Sequence, residues 1–235
     1  MAGLIHLPGV AGCDEAGRGP LAGPVVCAAV VLPRGFDTRG LNDSKKLTAQ
    51  QRSAAEDRIK CGSDWAIAVV SHQDIDRMNI LRSSLFGMSR ALESLQCAPE
   101  FALIDGNHVP LDAPCRCEPQ IQGDAAYACI AAASILAKNA RDRIMTTLHD
   151  LYPEYGFNHN FGYPTRDHIE ALRVYGPSAV HRMTFGPVAL VANQPTLDFG
   201  EEVSTATETS VRSIIEPWPT AESKVRDTKT VLPTI

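Results

Sequence analysis

Along this chain, apolar residues fall into short continuous runs separated by stretches with helical spacing. Residues 10–14 read as one strand, and residues 23–32, nearly continuous in Val, Ala and Cys, as a second strand buried on both faces. The glycine-rich turn 17–23 between them predicts a hairpin. Residues 65–70, 101–105 and 118–122 are three further strand candidates. Thr48 is placed to cap a helix running to about residue 61. From 73 to 95, Met78, Leu81, Leu85, Met88, Leu92 and Leu95 alternate spacings of three and four, which predicts one continuous amphipathic helix with its methionines in the core. A long helix follows over 127–151, with Cys129, Ala133, Leu136, Ala140, Ile144 and Leu148 on one face. Its Ala131-Ala132-Ala133-Ser134 run allows close approach to a sheet. Residues 165–175 form the last helix candidate. Five strands interspersed with helices predict an α/β fold: a mixed five-stranded sheet flanked by helices, with a helical C-terminal part.

Beyond Ala192 the chain turns to Thr, Ser, Glu and Pro and no period survives, so residues 1–192 are expected to form one folded domain and 193–235 a disordered tail. A hydrophobic content of 44% with 21% charged residues suits a buried soluble core of this size. No run of 18 apolar residues and no basic-then-apolar leader is present, so a cytoplasmic location away from membranes is expected. Of the seven cysteines, Cys13, Cys27 and Cys129 sit inside apolar runs, where a free thiol behaves as a small hydrophobe. Cys115 and Cys117 are too close for the spacing of a zinc knuckle. Net charge is −5, and the tail carries seven acids against four bases. A polyanion would therefore be held by a few placed bases and bound cations, not by a global positive field.

The candidate chemistry centres on Gly12-Cys13-Asp14-Glu15-Ala16-Gly17-Arg18-Gly19-Pro20. Alone, an Asp-Glu pair before a turn is an ordinary charged strand end. Two more carboxylates, Asp105 and Asp124, also stand at predicted strand ends, and in α/β sheets such ends converge. Four carboxylates without interleaved His or Cys favour a hard cation such as Mg²⁺ or Mn²⁺. Successive residues of a strand face opposite sides, so Asp14 and Glu15 are expected to share a cation where the strand ends or bends between them. Asp142 is a rival to Asp124, but on a continuous helix the two would lie roughly 27 Å apart. Asp124 is preferred for its place beside a strand end, and Asp142 reads as an ion-pairing residue. A nucleotide-binding loop at 17–23 fails, because no Gly-Lys-Ser/Thr closes it.

These residues, together with Leu41-Asn42-Asp43-Ser44-Lys45-Lys46-Leu47, Ile104-Asp105-Gly106, Gly123-Asp124, Ala132 to Lys138, Gly162-Tyr163-Pro164-Thr165 and His181-Arg182 through Phe185-Gly186-Pro187, resemble the motifs of bacterial ribonuclease HII in the same order. The resemblance implies a ribonuclease H-like fold and endonucleolytic cutting of RNA in RNA–DNA hybrids and at single ribonucleotides in duplex DNA, leaving a 5′ phosphate and a 3′ hydroxyl. It implies Asp14, Glu15, Asp105 and Asp124 as catalytic, metal-binding residues using two divalent cations, Mn²⁺ or Mg²⁺. It further implies that Gly17, Arg18, Gly19 and Tyr163 recognise the ribose and that Lys45 and Lys46 contact phosphate. A monomer is expected, and the tail, which has no counterpart in the resemblance, is left with an unidentified partner. The chain departs from the family pattern at Gln122 and Phe161, where Lys is common, at Asn160, where His is common, and at Asn139-Ala140, where Val-Thr is common.

Overall fold

The computed structural model describes residues 3–193. The expected tail lies outside the described residues apart from Asn193. Five strands, β1 (Ala11–Ala16), β2 (Val25–Val31), β3 (Asp64–Val70), β4 (Phe101–Asp105) and β5 (Arg116–Gln120), form one sheet in the order β3-β2-β1-β4-β5. The β1–β2 hairpin and the β2–β3 pair are antiparallel, while β1–β4 and β4–β5 are parallel. The mixed five-stranded α/β sheet expected from the sequence is thus present. Its helices are α1 (Ala49–Gly62), α2 (His72–Met78), α3 (Ile80–Glu93), α4 (Ala128–Leu151), α5 (Phe157–Asn160), α6 (Arg166–Tyr175) and α7 (Gly186–Ala192). Among the described residues no helix is long and apolar enough to cross a membrane.

The sheet is covered on both sides, which is why β2 is apolar throughout: Val25 to Val30 are fully buried. One face packs under α4 and α1, with Ala28, Val30, Ile59, Ile130 and Leu136 in one cluster. The other packs under α2 and α3, with Cys27, Ala29, Ile75, Met88 and Leu92. The closest approach is between α4 and β1. A Cβ on Gly12 would overlap the backbone of Cys129 and Ile130, so only a residue without a side chain lets the helix lie this near. The small residues Ala131, Ala132 and Ala133, all fully buried, serve the same contact from the helix side.

Several boundaries differ from those expected. The helix predicted over 73–95 is two helices, α2 and α3, joined at Asn79, whose φ of 69° stops the first and whose side chain accepts from the Arg82 amide to start the second. Asn tolerates positive φ, and the break leaves the apolar period intact, so the pattern could not reveal it. β5 lies two residues earlier than expected. β1 runs on through Glu15 to Ala16 instead of ending at Asp14, held by the Glu15–Cys27 and Ala16–Val26 pairings. The helix at 165–175 is not the last, since α7 follows it. The capping of α1 is as expected: Thr48 accepts from the Gln51 amide and Gln51 reciprocates to the Thr48 amide.

Candidate active site

β1 and β4 are parallel neighbours, with Cys13 opposite Ile104, so the next positions, Asp14 and Asp105, are side by side at the carboxyl edge of the sheet. β5 also ends at this edge, and the turn after it carries Gly123-Asp124. The Gly123 amide donates to Asp105 Oδ1 at 2.8 Å, tying that turn to the end of β4. Gln122 enters the turn with a left-handed φ of 56°. Asp14 and Asp124 are buried, and Glu15 and Asp105 are half-buried.

The expected interruption of the strand between Asp14 and Glu15 is absent, yet both carboxylates feel Asp105. Burial, then the charges of Glu15 and Asp105, push the Asp14 carboxyl well above the ordinary range, against hydrogen bonds from Ser134 and the Glu15 amide. Burial also raises Glu15, which the Arg18 guanidinium opposes and Asp105 reinforces. Asp124 is raised by burial, then by Asp105 and Asp43, and lowered by Lys45. The edge of the sheet is therefore an acidic cluster short of positive charge.

Its rim comes from three loops. In the first, Gly17-Arg18-Gly19 follows β1, and Arg18 Nη1 folds back to 3.5 Å from Glu15 Oε1. The second holds Asp43-Ser44-Lys45-Lys46, where Asp43 caps a 3-10 turn by accepting from the Lys45 amide at 2.9 Å. Lys45 is exposed and lowers both Glu15 and Asp124. Lys46 is exposed and stands 3.8 Å from Asp43. The third loop, between α5 and α6, carries Tyr163, a residue 43% exposed and so presented, not packed away. A Cβ on Gly19 would come within 3.4 Å of Tyr163 Cε1, so the ring and the glycine loop are in contact range.

All ten candidate residues named from the sequence gather at this edge. Reading the sequence assigned no role to Ser134, which lowers the Asp14 carboxyl from α4 and meets Ser44 Oγ at 2.9 Å, joining the helix to the lysine loop. Its place in a run of alanines was the available signal. Asp142, set aside as an ion-pairing residue, pairs with Lys138 at 2.6 Å and Arg52 at 3.5 Å. Arg143 pairs with Glu56. Cys13, Cys27 and Cys129 are free and buried, as expected.

The sequence model for ribonuclease HII matches residues 11–188. The chain belongs to the ribonuclease HII family. It is accordingly a ribonuclease H, a hydrolase acting on RNA within RNA–DNA hybrids. The ribonuclease HII of Dechloromonas aromatica is 52% identical over 182 residues, covering 77% of this chain and 92% of that one. The ribonuclease HII of Chlamydia pneumoniae is 51% identical over 181 residues, covering 76% and 84%. Among solved structures, ribonuclease H2 of Pyrococcus horikoshii superposes with a TM-score of 0.65 at 29% identity, covering 77% of this chain and 96% of that one. The fold also matches that of Bst-RNase HIII in complex with Mn²⁺, at a TM-score of 0.63 and 19% identity, covering 80% and 72%.

Proposed function

We propose that this ribonuclease H nicks duplex DNA at a single embedded ribonucleotide as well as cutting continuous hybrids, leaving a 5′ phosphate and a 3′ hydroxyl. The observation that carries this reading is that Gly19 and the exposed Tyr163 stand near each other at the rim of the acidic cluster, a Cβ on Gly19 falling 3.4 Å from Tyr163 Cε1. A continuous hybrid can be recognised along its length, but one ribonucleotide offers only one 2′ hydroxyl. The backbone of Gly17-Arg18-Gly19 approaches that hydroxyl, and Tyr163 stacks on the adjoining sugar. Lys45 and Lys46 contact phosphates on either side of the cut.

Asp14, Glu15, Asp105 and Asp124 are the residues that would hold divalent cations. The fit rests on the donor set: hard oxygens only, with Asp14, Glu15 and Asp124 pushed up by burial and mutual charge that a cation would relieve. Among the described residues no three His, Cys, Asp or Glu side chains stand as a ready-made cage, so these carboxylates must rotate toward an ion to hold it. When bound, two Mg²⁺ or Mn²⁺ ions would supply the positive charge that stabilises the oxygens entering and leaving phosphorus. The chain's own contribution is to orient. Ser134 fixes Asp14, the Gly123 amide fixes Asp105, and Arg18 steadies Glu15. Residues 1–192 are the unit that performs this work.

The test uses the full chain with Mn²⁺ and three substrates: a duplex with one ribonucleotide, the same duplex all in DNA, and a continuous hybrid. Cleavage of the first and third, with fragments ligatable through a 5′ phosphate, is expected. Cleavage of the hybrid alone would overturn the single-ribonucleotide reading.

A further inference from the structure

Arg141 on α4 and Arg182, in the segment between α6 and α7, head the fully buried side chains by size among the described residues. Every hydrogen bond the two make runs to a backbone carbonyl. Arg141 donates to Pro24 at 3.0 Å, Ala22 at 3.2 Å and Phe161 at 2.9 Å. Arg182 donates to Gly17 at 2.7 Å, Arg18 at 3.1 Å, Gly23 at 3.0 Å and Pro24 at 3.2 Å. Burial pushes Arg141 down to about 10, and burial with the charge of Arg141 pushes Arg182 down to about 9. Two buried cations that form no ion pair among the described residues, Arg141 feeling Asp142 and Arg182 feeling Asp76 only through space, are a poor way to stabilise a core, where apolar side chains of equal volume do as well or better.

Their geometry has another effect. The structure has no cis peptide among the described residues, and in a trans peptide the N–H points opposite to the C=O of the same plane. With the Gly17 and Arg18 carbonyls drawn inward to Arg182, the Arg18 and Gly19 amides face outward. Neither amide has an internal partner among the described residues, and both residues are exposed. Arg141 lies against the same loop so closely that a Cβ on Gly17, whose φ is 103°, would overlap its Nε. Its bond to Phe161 reaches the loop of Tyr163. There Phe161 takes a left-handed φ of 49°, and the Gly162 carbonyl accepts from the Leu21 amide at 2.7 Å. One pair of guanidinium groups thus sets both parts of the proposed ribose reader.

We propose that Arg141 and Arg182 are positioning residues for ribose recognition: they turn the Gly17–Arg18 and Arg18–Gly19 peptides so that two amide donors face the substrate sugar, and they fix the distance from those donors to Tyr163. This rests on the reading of Gly17-Arg18-Gly19 and Tyr163 given above. Lysine at either position keeps the charge but cannot hold several divergent carbonyls with one fork.

The experiment compares wild type, Arg182→Lys and Arg141→Lys for binding, in chelator so that nothing is cut, to a duplex with one ribonucleotide and to the same duplex in DNA alone. Circular dichroism and melting temperature establish which variants are folded. The wild type is expected to prefer the ribonucleotide duplex, and each folded variant to lose about tenfold of that preference, the equivalent of one misaligned hydrogen bond, with affinity for the DNA duplex unchanged. In Mn²⁺, KM for the single-ribonucleotide duplex should rise more than KM for the continuous hybrid. A merely structural role would lower melting temperature and weaken both duplexes equally, and that result overturns the proposal. A folded variant with wild-type preference also overturns it. If only one variant folds, it decides by the same criteria; if neither folds, the pair is structural and the proposal falls. A wild type without any preference for the ribonucleotide duplex would instead reject the ribose reader itself, a result seen before any variant is examined.

Discussion

Replacing Asp105 by Asn removes one negative charge from the end of β4 with almost no change of shape. Asn Oδ1 can still accept from the Gly123 amide, now 2.8 Å from Asp105, so the turn carrying Asp124 is expected to stay in place. Asp105 repels Asp14, Glu15 and Asp124. At this partly exposed edge each such contact is worth about 0.5–1 kcal/mol, and the weaker bond from a neutral acceptor returns about 1 kcal/mol. The metal-free variant should therefore be more stable by roughly 1 kcal/mol, raising its melting temperature by about 2–4 °C for a domain of this size. Catalysis moves the other way. Charge stabilisation by a properly held cation contributes several kcal/mol, and each 1.4 kcal/mol or so is a decade of rate, so cleavage should fall by about a thousandfold or more. Initial rates on a continuous hybrid in saturating Mn²⁺, with melting curves in chelator, measure both. A rate within about tenfold of wild type would refute the assignment of Asp105 as a metal holder. A melting temperature lowered by more than about 4 °C would refute the repulsion argument.

Tyr163→Ala should leave Mn²⁺ affinity and melting unchanged while cutting single-ribonucleotide cleavage on the order of a hundredfold, the cost of about 1 Å of lost alignment; unchanged cleavage would reject the stacking role. Glu56 supplies a pH test away from the site. Burial alone would raise its carboxyl, but hydrogen bonds from Arg143, Lys60 and Asn139 bring it from 4.5 down to about 2. A depressed acid stabilises the fold above its unfolded value and loses that contribution as pH falls, so Glu56→Gln should cost about 1–3 kcal/mol at pH 7, after allowance for the exposed Arg143. Denaturant unfolding should show that difference shrinking between about pH 4.5 and pH 2; a difference that does not change with pH would contradict it. Ending the chain after Asn193 should preserve hybrid cleavage, since the family match stops at residue 188; loss of turnover would show that the remaining residues support the domain.

The strands and most helices were legible because burial on both faces leaves unbroken apolar runs, as in β2, and burial on one face leaves a helical period, as in α3. Asn79 was not legible, because a break that preserves the period leaves no mark on it. The acidic cluster could be read from carboxylates at strand ends, and the motif order then tied it to a family. The interruption expected between Asp14 and Glu15 is not there; β1 runs on past both, and what they share is the charge of Asp105, set by where β4 stops beside β1. Ser134 and the two buried arginines were hidden for a related reason. Apart from the Phe161 carbonyl, the partners of the arginines are carbonyls more than a hundred residues away in sequence, as is the Asp14 carboxylate from Ser134, and no local pattern records such contacts.

The sheet order also has a consequence for a chain still being made. β1 and β2 are adjacent in sequence and can pair as a hairpin soon after they emerge, bringing only Asp14 and Glu15. β4, the parallel partner that brings Asp105, is synthesised some ninety residues later, and the Gly123-Asp124 turn later still. Arg182, which binds the Gly17 and Arg18 carbonyls, comes near the end of the described residues. A nascent or prematurely terminated chain therefore holds two of the four acids on a bare hairpin and can neither gather the rest nor shape the loop beside them. On the proposed assignment of the four acids and of Arg182, the cell is spared a half-built nuclease, because cutting would begin only when the last part of the domain has closed onto the first.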